Sequence, residues 1–305
     1  MYPVVRIHAS RAEAVEDLGT KAKFWYHDDN NGLTLFKAEE RGTGEDWAEK
    51  IACELAGLLG LPHVQYNMAY DEDNSRPGVV CASFTPGELA LAHGNQLLFM
   101  VDANYPRDAE RHYLAHAHTV DAVFGVVRLL KRPSPDWCQF LPVGIHSAPG
   151  VFAGYLMLDA WVANQDRHHE NWGAVWDGKE LSLAPSFDHG AALARNLDDA
   201  ERLERLQSRD VHRQIPYFAQ RARSALFANP NDKHPLTTLA AWRAFAAKVP
   251  AEAALWRRQL EMVDEGAIKF YVDSVPLDRM SAVCRQFTLN LLSENRRRIL
   301  ESEEP

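Results

Sequence analysis

The sequence predicts an α+β chain of two lobes, a small antiparallel β-sheet with one helix followed by a mainly helical lobe. Short apolar strands and turn signals fill the part before residue 84, and apolar residues recur at helical spacing through most of the remainder. A single hairpin interrupts the helical part near residue 177. We therefore expect a first lobe over residues 1–84 and a second over residues 85–305.

The first part of the chain reads as strands joined by turns. We expect a strand over residues 4–7, then a short helix to about residue 18. Asn30-Asn31-Gly32 is a hairpin signal, and the return strand ends at Lys37. A lysine at this place can reach a phosphate as a compact charge. On the residues alone, however, a lysine at the end of a strand is more often simply solvated.

An amphipathic helix follows Gly44 and ends at Gly60-Leu61-Pro62, where glycine and proline stop helices. Glu49 and Glu54 lie just outside opposite edges of its apolar face, so periodicity does not choose between them as the partner of a lysine. The apolar face is formed by Trp47, Ile51, Leu55 and Leu58. Two further strands, over residues 64–69 and 78–84, complete the first lobe.

The second lobe is predicted to be helical on both sides of its hairpin. A nearly all-apolar helix over residues 152–164 follows one over residues 120–130. After Gly190, helical spacing recurs, and Trp242 and Trp256 are expected in the core. Arg296-Arg297-Arg298 reads as solvated surface. The later helices are expected over residues 198–206, 215–226, 236–247, 251–262 and 277–300.

Composition limits the class of protein. The 305 residues are 46% hydrophobic and 25% charged, which is an ordinary globular balance. A formal net charge of −9 argues against a protein that binds nucleic acid through phosphate contacts, because such domains are usually basic. The four cysteines share no metal or disulfide spacing, which favours free thiols in a reducing cytoplasm. No apolar stretch predicts a secretory signal or a membrane span, so we expect a cytoplasmic protein with no membrane partner.

Three polar side chains mark the stretch 158–191, which contains the hairpin. Asp166 and Asn171 are five residues apart, and Asp188 opens an Asp-His-Gly sequence after the hairpin turn at Asp177-Gly178. Phosphoryl transfer needs such a set: one aspartate accepts the proton of the acceptor, while the asparagine and the second aspartate hold Mg²⁺. Protein kinases use the same spacing. The stretch therefore predicts a bilobal protein-kinase-like fold with ATP and Mg²⁺ between the lobes.

Two other interpretations of this stretch stay open. Asp, Asn and Gly also cluster in ordinary turns, so the set has a purely structural explanation. The adjacent pair His168-His169 suggests a metal site of a hydrolase as a second interpretation. Adjacent histidines point to different sides of a helix or strand, however, and no zinc motif accompanies them.

With these motifs the sequence resembles the HipA-like kinases, through DAWVANQDRHHENWG and LAPSFDHG. The resemblance extends to GTKAKFWY, LFKAEE, GEDWAEKIACELAGLLGLP and HGNQLL, the last of which receives no chemical role. It implies Asp166 as the catalytic base, with Asn171 and Asp188 as metal ligands. It also implies that Lys37 holds the phosphates and that Glu49 orients this lysine.

The resemblance implies two further nucleotide contacts. The loop Gly19-Thr20-Lys21 would cover the phosphates, although Gly-Thr-Lys lacks both the Walker and the kinase glycine-loop spacing and reads equally as a plain turn. The backbone from Ala82 to Phe84 would bind adenine as the hinge.

The acceptor implied by the resemblance is a Ser or Thr hydroxyl of a protein. The D-R-H-x-x-N element is also similar to that of phosphoinositide kinases, so a lipid or small-molecule hydroxyl stays an alternative. A different class of function is a non-catalytic nucleotide-binding partner, either a pseudokinase or a subunit of a toxin–antitoxin complex. Toxins of this family usually pair with a small DNA-binding antitoxin, so the resemblance implies such a partner.

Overall fold

A six-stranded sheet forms the N-terminal part of the computed structural model, which describes residues 1–15, 22–39, 42–106 and 115–301. The strand order is β1-β5-β6-β4-β3-β2, and only the β1–β5 pair is parallel. The predicted antiparallel sheet is therefore confirmed apart from this one pair. The strands are β1 (Val5–Ile7), β2 (Ala14–Val15), β3 (Lys23–Asp28), β4 (Gly32–Ala38), β5 (Asn67–Asp71) and β6 (Arg76–Ala82).

Turn chemistry explains the β3–β4 hairpin. The Asp28 carboxylate accepts hydrogen bonds from the backbone N–H groups of Asn30 and Asn31, and Gly32 has a φ of +68°. The prediction of a helix up to residue 18 is wrong for its described part, which ends at residue 15. A short 3₁₀ turn, Ala9–Arg11, and β2 stand there instead, because this segment pairs with β3.

Helix α1 (Glu45–Leu59) packs against the sheet, between two glycines with left-handed backbone. Gly44 precedes it with a φ of +83°, and a Cβ at Gly44 would overlap the Trp47 ring. Gly60 ends the helix with a φ of +71°. The two glycines that flank the helical pattern in the sequence therefore supply the left-handed backbone at the two ends of α1.

The rest of the chain is helical around a three-stranded sheet of order β7-β8-β9. Helix α4 is buried along its whole length, and the Trp161, Trp242 and Trp256 rings are fully buried near it. The core roles predicted for Trp242 and Trp256 are confirmed. The elements are β7 (Ala90–His93), α2 (Gly94–Val101), α3 (Val120–Val127), α4 (Ala148–Val162), β8 (Gly173–Trp176), β9 (Leu181–Leu183), α5 (Asp199–Gln207), α6 (Ile215–Ala219), α7 (Thr238–Ala246), α8 (Pro250–Met262), α9 (Glu265–Asp273) and α10 (Ala282–Glu301).

Long-range contacts join the N-terminal part to the C-terminal helices. The Tyr2 backbone N–H donates to the carbonyl of Ser274 over 2.6 Å. Asp46 at the start of α1 forms a buried ion pair with Arg279. In the described ranges, no helix combines the length and the apolar character that crossing a membrane requires.

Candidate active site

The structure brings Lys37, Glu49 and Asp188 together from three separate elements. Lys37 lies on β4, and its Nζ is 3.2 Å from Oε2 of Glu49 on α1. The same Nζ is 2.7 Å from Oδ1 of Asp188, which follows β9. Glu54 pairs with Lys50 instead, at 2.5 Å. Of the two glutamates that periodicity left open, Glu49 is therefore the one that contacts Lys37.

Burial and neighbouring charges shift the pKa values of Lys37 and Glu49 in opposite directions. The side chains of Lys37 and Glu49 are only 10% and 2% exposed. Burial alone would lower the pKa of Lys37, but the carboxylates of Asp188 and Glu49 raise it above its ordinary value. Burial would raise the pKa of Glu49, but Lys37 and a hydrogen bond from His189 lower it. Both side chains are therefore charged at neutral pH.

Asp188 has a backbone conformation that is uncommon outside glycine. Its φ is +59°, which Asp tolerates better than most residues, and its N–H lies 3.4 Å from the Tyr66 hydroxyl oxygen. At Gly190, two residues on, a Cβ would approach Oε2 of Glu49 to 3.4 Å. This turn places the Asp188 carboxylate against Lys37, and non-glycine residues in such conformations cluster at functional sites.

The segment from Asp166 to Asn171 closes on itself. The side-chain amide of Asn171 donates to the Asp166 carbonyl over 2.7 Å, and the Asn171 N–H donates to the carbonyl of His168. Because the nitrogen of this amide is engaged, its oxygen is the atom that a cation would use. Nε2 of His168 lies 3.7 Å from Oδ1 of Asp166. The five-residue spacing thus corresponds to a compact loop.

A buried arginine organises this loop, and the sequence interpretation missed it. Arg167 forms two 2.8 Å hydrogen bonds with the Asp159 carboxylate, and both side chains are at most 3% exposed. Its guanidinium also donates to the Asn171 carbonyl over 2.9 Å. Asp159 is the only charged residue of α4, so the signal was present as an acid inside an otherwise apolar helix.

Hydrogen bonds continue from Arg167 to the Lys37–Glu49 pair. The guanidinium donates to Oγ of Ser186 over 3.1 Å, and this oxygen is 2.8 Å from Nε2 of His189. The backbone N–H of His189 donates to Oε1 of Glu49 over 2.6 Å. A buried polar chain therefore links the loop that carries Asp166 to the helix that carries Glu49.

The His93-Gly94-Asn95 segment contacts the other side of the loop, although its sequence indicated no role. Nδ1 of His93 donates to the carbonyl of Glu170 over 2.7 Å. The Gly94 and Asn95 N–H groups donate to the carbonyls of Trp172 and His169, respectively. A Cβ on Gly94 would lie 2.3 Å from the Trp172 ring and 2.6 Å from the His169 carbonyl oxygen. Only glycine fits this close approach.

Gly94→Ala is expected to lower the free energy of unfolding by about 1–3 kcal/mol, because the new methyl overlaps the loop. Gly125 within α3 is the matched control, since no atom other than those of its chain neighbours and of the α3 backbone lies within 4 Å of a Cβ there. Gly125→Ala should be neutral or stabilising by up to about 1 kcal/mol. Urea unfolding of both variants tests this. Equal destabilisation by the two changes would contradict the proposed fit at Gly94.

The predicted hinge and phosphate loop have different outcomes. Ala82 ends β6 opposite Thr34, and the Phe84 ring stacks on Phe187 with centroids 5.5 Å apart. Phe84 is therefore next to the Asp188 turn, while its contact with adenine stays a prediction. The loop Gly19-Thr20-Lys21 lies outside the described residues.

No protein-family model matches the sequence, and no curated protein matches it. Among solved structures, the chain is similar to the Helicobacter pylori proinflammatory kinase CtkA, with a TM-score of 0.74 and 18% identity over 98% of this chain and 96% of that one. It is also similar to a chain in the structure of the Shewanella oneidensis MR-1 toxin–antitoxin system HipA, HipB and its operator DNA. There the TM-score is 0.58, with 13% identity over 95% of this chain and 68% of that one. The chain therefore has the kinase-like fold of these two structures, in agreement with its motifs.

Proposed function

We propose that this chain is an ATP- and Mg²⁺-dependent kinase that phosphorylates Ser or Thr hydroxyls of a protein. The observation that carries the proposal is the buried Lys37, which contacts both Glu49 and Asp188. A lysine ordered by a helix glutamate next to a metal-binding aspartate is the phosphate-binding arrangement of protein kinases. A purely structural turn cluster would not require this buried charged group.

The available donors fit a magnesium ion. Mg²⁺ prefers oxygen ligands and usually takes only one or two carboxylates, with phosphate and water completing its shell. The Asp188 carboxylate and the side-chain oxygen of Asn171 are such donors. Within the described residues, no group of three or more His, Cys, Asp or Glu side chains has a metal-binding arrangement. A magnesium ion shared with ATP phosphates would therefore use Asn171 and Asp188.

The chain's own residues would bind the nucleotide and accept the proton of the acceptor. Bound ATP would supply the γ-phosphoryl group, and Mg²⁺ would offset the negative charge of its phosphates. Lys37, kept charged by Glu49, would bind phosphate oxygens, and the backbone from Ala82 to Phe84 would bind the adenine. Asp166 would accept the proton of the acceptor hydroxyl. In this proposal the two lobes comprise residues 1–84 and 85–305.

The proposal extends to location and partner. The Shewanella structure contains HipB and operator DNA together with HipA. By analogy, we propose a small antitoxin-like protein as a partner of this chain, and the cytoplasm as its location. Direct binding of nucleic acid by this chain is not proposed, since its formal net charge is −9.

The function is tested with γ-labelled ATP and Mg²⁺, added to a host lysate and, separately, to a lipid extract. We expect label in protein as phosphoserine or phosphothreonine with the intact chain, and none with Asp166→Ala. Label in lipid would favour the phosphoinositide-type alternative. ATP binding with no transfer in either extract would contradict the kinase proposal and favour a nucleotide-binding partner protein.

A further inference from the structure

A pocket of about 500 Å³ lies next to the catalytic loop, on the side of the helical lobe. Gln165, the residue before Asp166, is part of its wall, and α5 and α6 supply most of the remainder. Lys37 and Glu49 are not among the lining residues. The nucleotide is proposed to bind against Lys37, so this pocket is placed to receive the acceptor that reaches Asp166.

The charge of the pocket differs from that of the chain. Its lining includes three arginines, one histidine and two glutamates, while the whole chain has a formal net charge of −9. Arg205 pairs with Glu201 at 2.6 Å, and Arg213 pairs with Glu204. These two pairs neutralise both glutamates and two of the arginines.

Arg221 is the third arginine, and it is exposed. In the part of the chain that the structure describes, it has no acidic partner. Its guanidinium carbon lies 5.4 Å from the centroid of the Tyr217 ring, which also lines the pocket. Stacking of this kind orders a guanidinium without using its N–H donors, so these can bind a carboxylate in a bidentate manner.

A second pocket extends the same surface. It has about 350 Å³ and shares His212 and Tyr217 with the first. Arg297 and Arg298 line it, so part of the arginine run near the C-terminus is located here. Arg297 is paired with Glu294 at 2.8 Å, and Arg298 donates to Oδ1 of Asn295. The surface beside the catalytic loop is therefore rich in arginine over both pockets.

We infer that the pocket around Arg221 binds an acidic side chain of the protein substrate, close in sequence to the Ser or Thr that is phosphorylated. This inference rests on the proposed function and deepens it, because it gives the substrate class as an acidic segment. Arg221 would bind the carboxylate, and Gln165 would lie where the peptide passes to Asp166. Arg221 is thus a specificity-determining residue.

The inference is tested by binding, without transfer. Two fluorescent peptides carry the same central serine, one flanked by glutamates and the other by glutamines. Their affinities for the full chain are measured by fluorescence anisotropy with Mg²⁺ and a non-hydrolysable ATP analogue. We expect the glutamate peptide to bind about tenfold more tightly, as for a bidentate hydrogen bond between two charged groups. The preference should decrease as salt is raised.

Three variants assign the preference to the pocket. Arg221→Gln should remove most of it, and Arg221→Lys should restore part, because lysine keeps the charge but not the planar fork. Arg128→Gln removes an exposed arginine at the end of α3, and it should leave the preference unchanged. Equal binding of the two peptides by the wild type would overturn the inference, as would an unchanged preference in Arg221→Gln.

The outcomes separate this inference from the proposed function. If the glutamate peptide binds through Arg221 but no label enters this peptide, the host lysate or the lipid extract, the kinase proposal is wrong and the acidic-segment site is supported. If label enters serine of both peptides equally and Arg221→Gln has no effect, the kinase proposal is supported and the acidic-segment site is wrong.

Discussion

Replacing Asp166 with alanine is expected to lower turnover by about 10²–10⁴-fold, which is the usual contribution of a positioned general base. The Asp166 side chain is 24% exposed, so its truncation to alanine leaves little buried space. The affinity for Mg-ATP should stay near the wild-type value, because the nucleotide is proposed to bind against Lys37, Glu49 and Asp188 and not against Asp166. Single-turnover transfer and calorimetric titration with nucleotide would measure the two quantities separately.

Two further variants sharpen this test. Asp166→Asn keeps the shape of the side chain and loses its basicity, so it should be nearly as inactive as Asp166→Ala. Asp136→Ala, an exposed aspartate before α4, should keep full turnover. More than a tenth of wild-type turnover in Asp166→Ala would contradict the role of the base. Loss of nucleotide affinity together with turnover would instead indicate a structural role.

Asp159→Ala is expected to lower the free energy of unfolding by about 3–5 kcal/mol, because it leaves the buried Arg167 guanidinium without its counter-ion. The Asp159 carboxylate also accepts a hydrogen bond of 2.8 Å from the Asn164 side chain. Three N–H donors, two of Arg167 and one of Asn164, would therefore lose their common acceptor. Urea unfolding measures the effect, and turnover should fall with it because Arg167 contacts the Asn171 carbonyl.

A matched exposed pair supplies the control for Asp159. The Asp121 side chain pairs with Lys248 and is 77% exposed, so Asp121→Ala should change stability by less than about 1 kcal/mol. The double variant Asp159→Leu with Arg167→Met should recover much of the lost stability, since apolar packing often replaces a buried ion pair without cost. It should not recover turnover. A loss of less than about 1 kcal/mol in Asp159→Ala would contradict this account.

Local signals in the sequence were sufficient for much of the fold. The turn at Asn30-Asn31-Gly32 and the glycines on either side of α1 act within a few residues, so their structures can be predicted from neighbours alone. Lys37 was predicted from its place at the end of a strand and from the family resemblance, whereas Asp166 and Asp188 were predicted from their spacing around the hairpin. Periodicity could not choose between Glu49 and Glu54 as the partner of Lys37, because both glutamates border the apolar face, and only the family resemblance indicated Glu49, which the structure places 3.2 Å from Lys37.

Other features depend on distant partners. The helix expected over residues 215–226 ends at Ala219, because Ser224 and Leu226 exchange backbone hydrogen bonds with Leu236. Helix α9 was not predicted. In the active site, the His93-Gly94-Asn95 contacts join residues more than seventy positions apart, so no local pattern reports them.

The hydrogen bond between positions 2 and 274 affects how the protein is made. A ribosome would release all six strands of the first sheet before α8 and α9, which pack on α1, have been synthesised. Strand β1 must also wait for β5 before it can pair, and contacts that close such long loops form slowly. The nascent chain therefore exposes the surface of α1 that α8 and α9 cover until residues 250–273 have been synthesised. Chaperones protect exposed surfaces of this kind from aggregation.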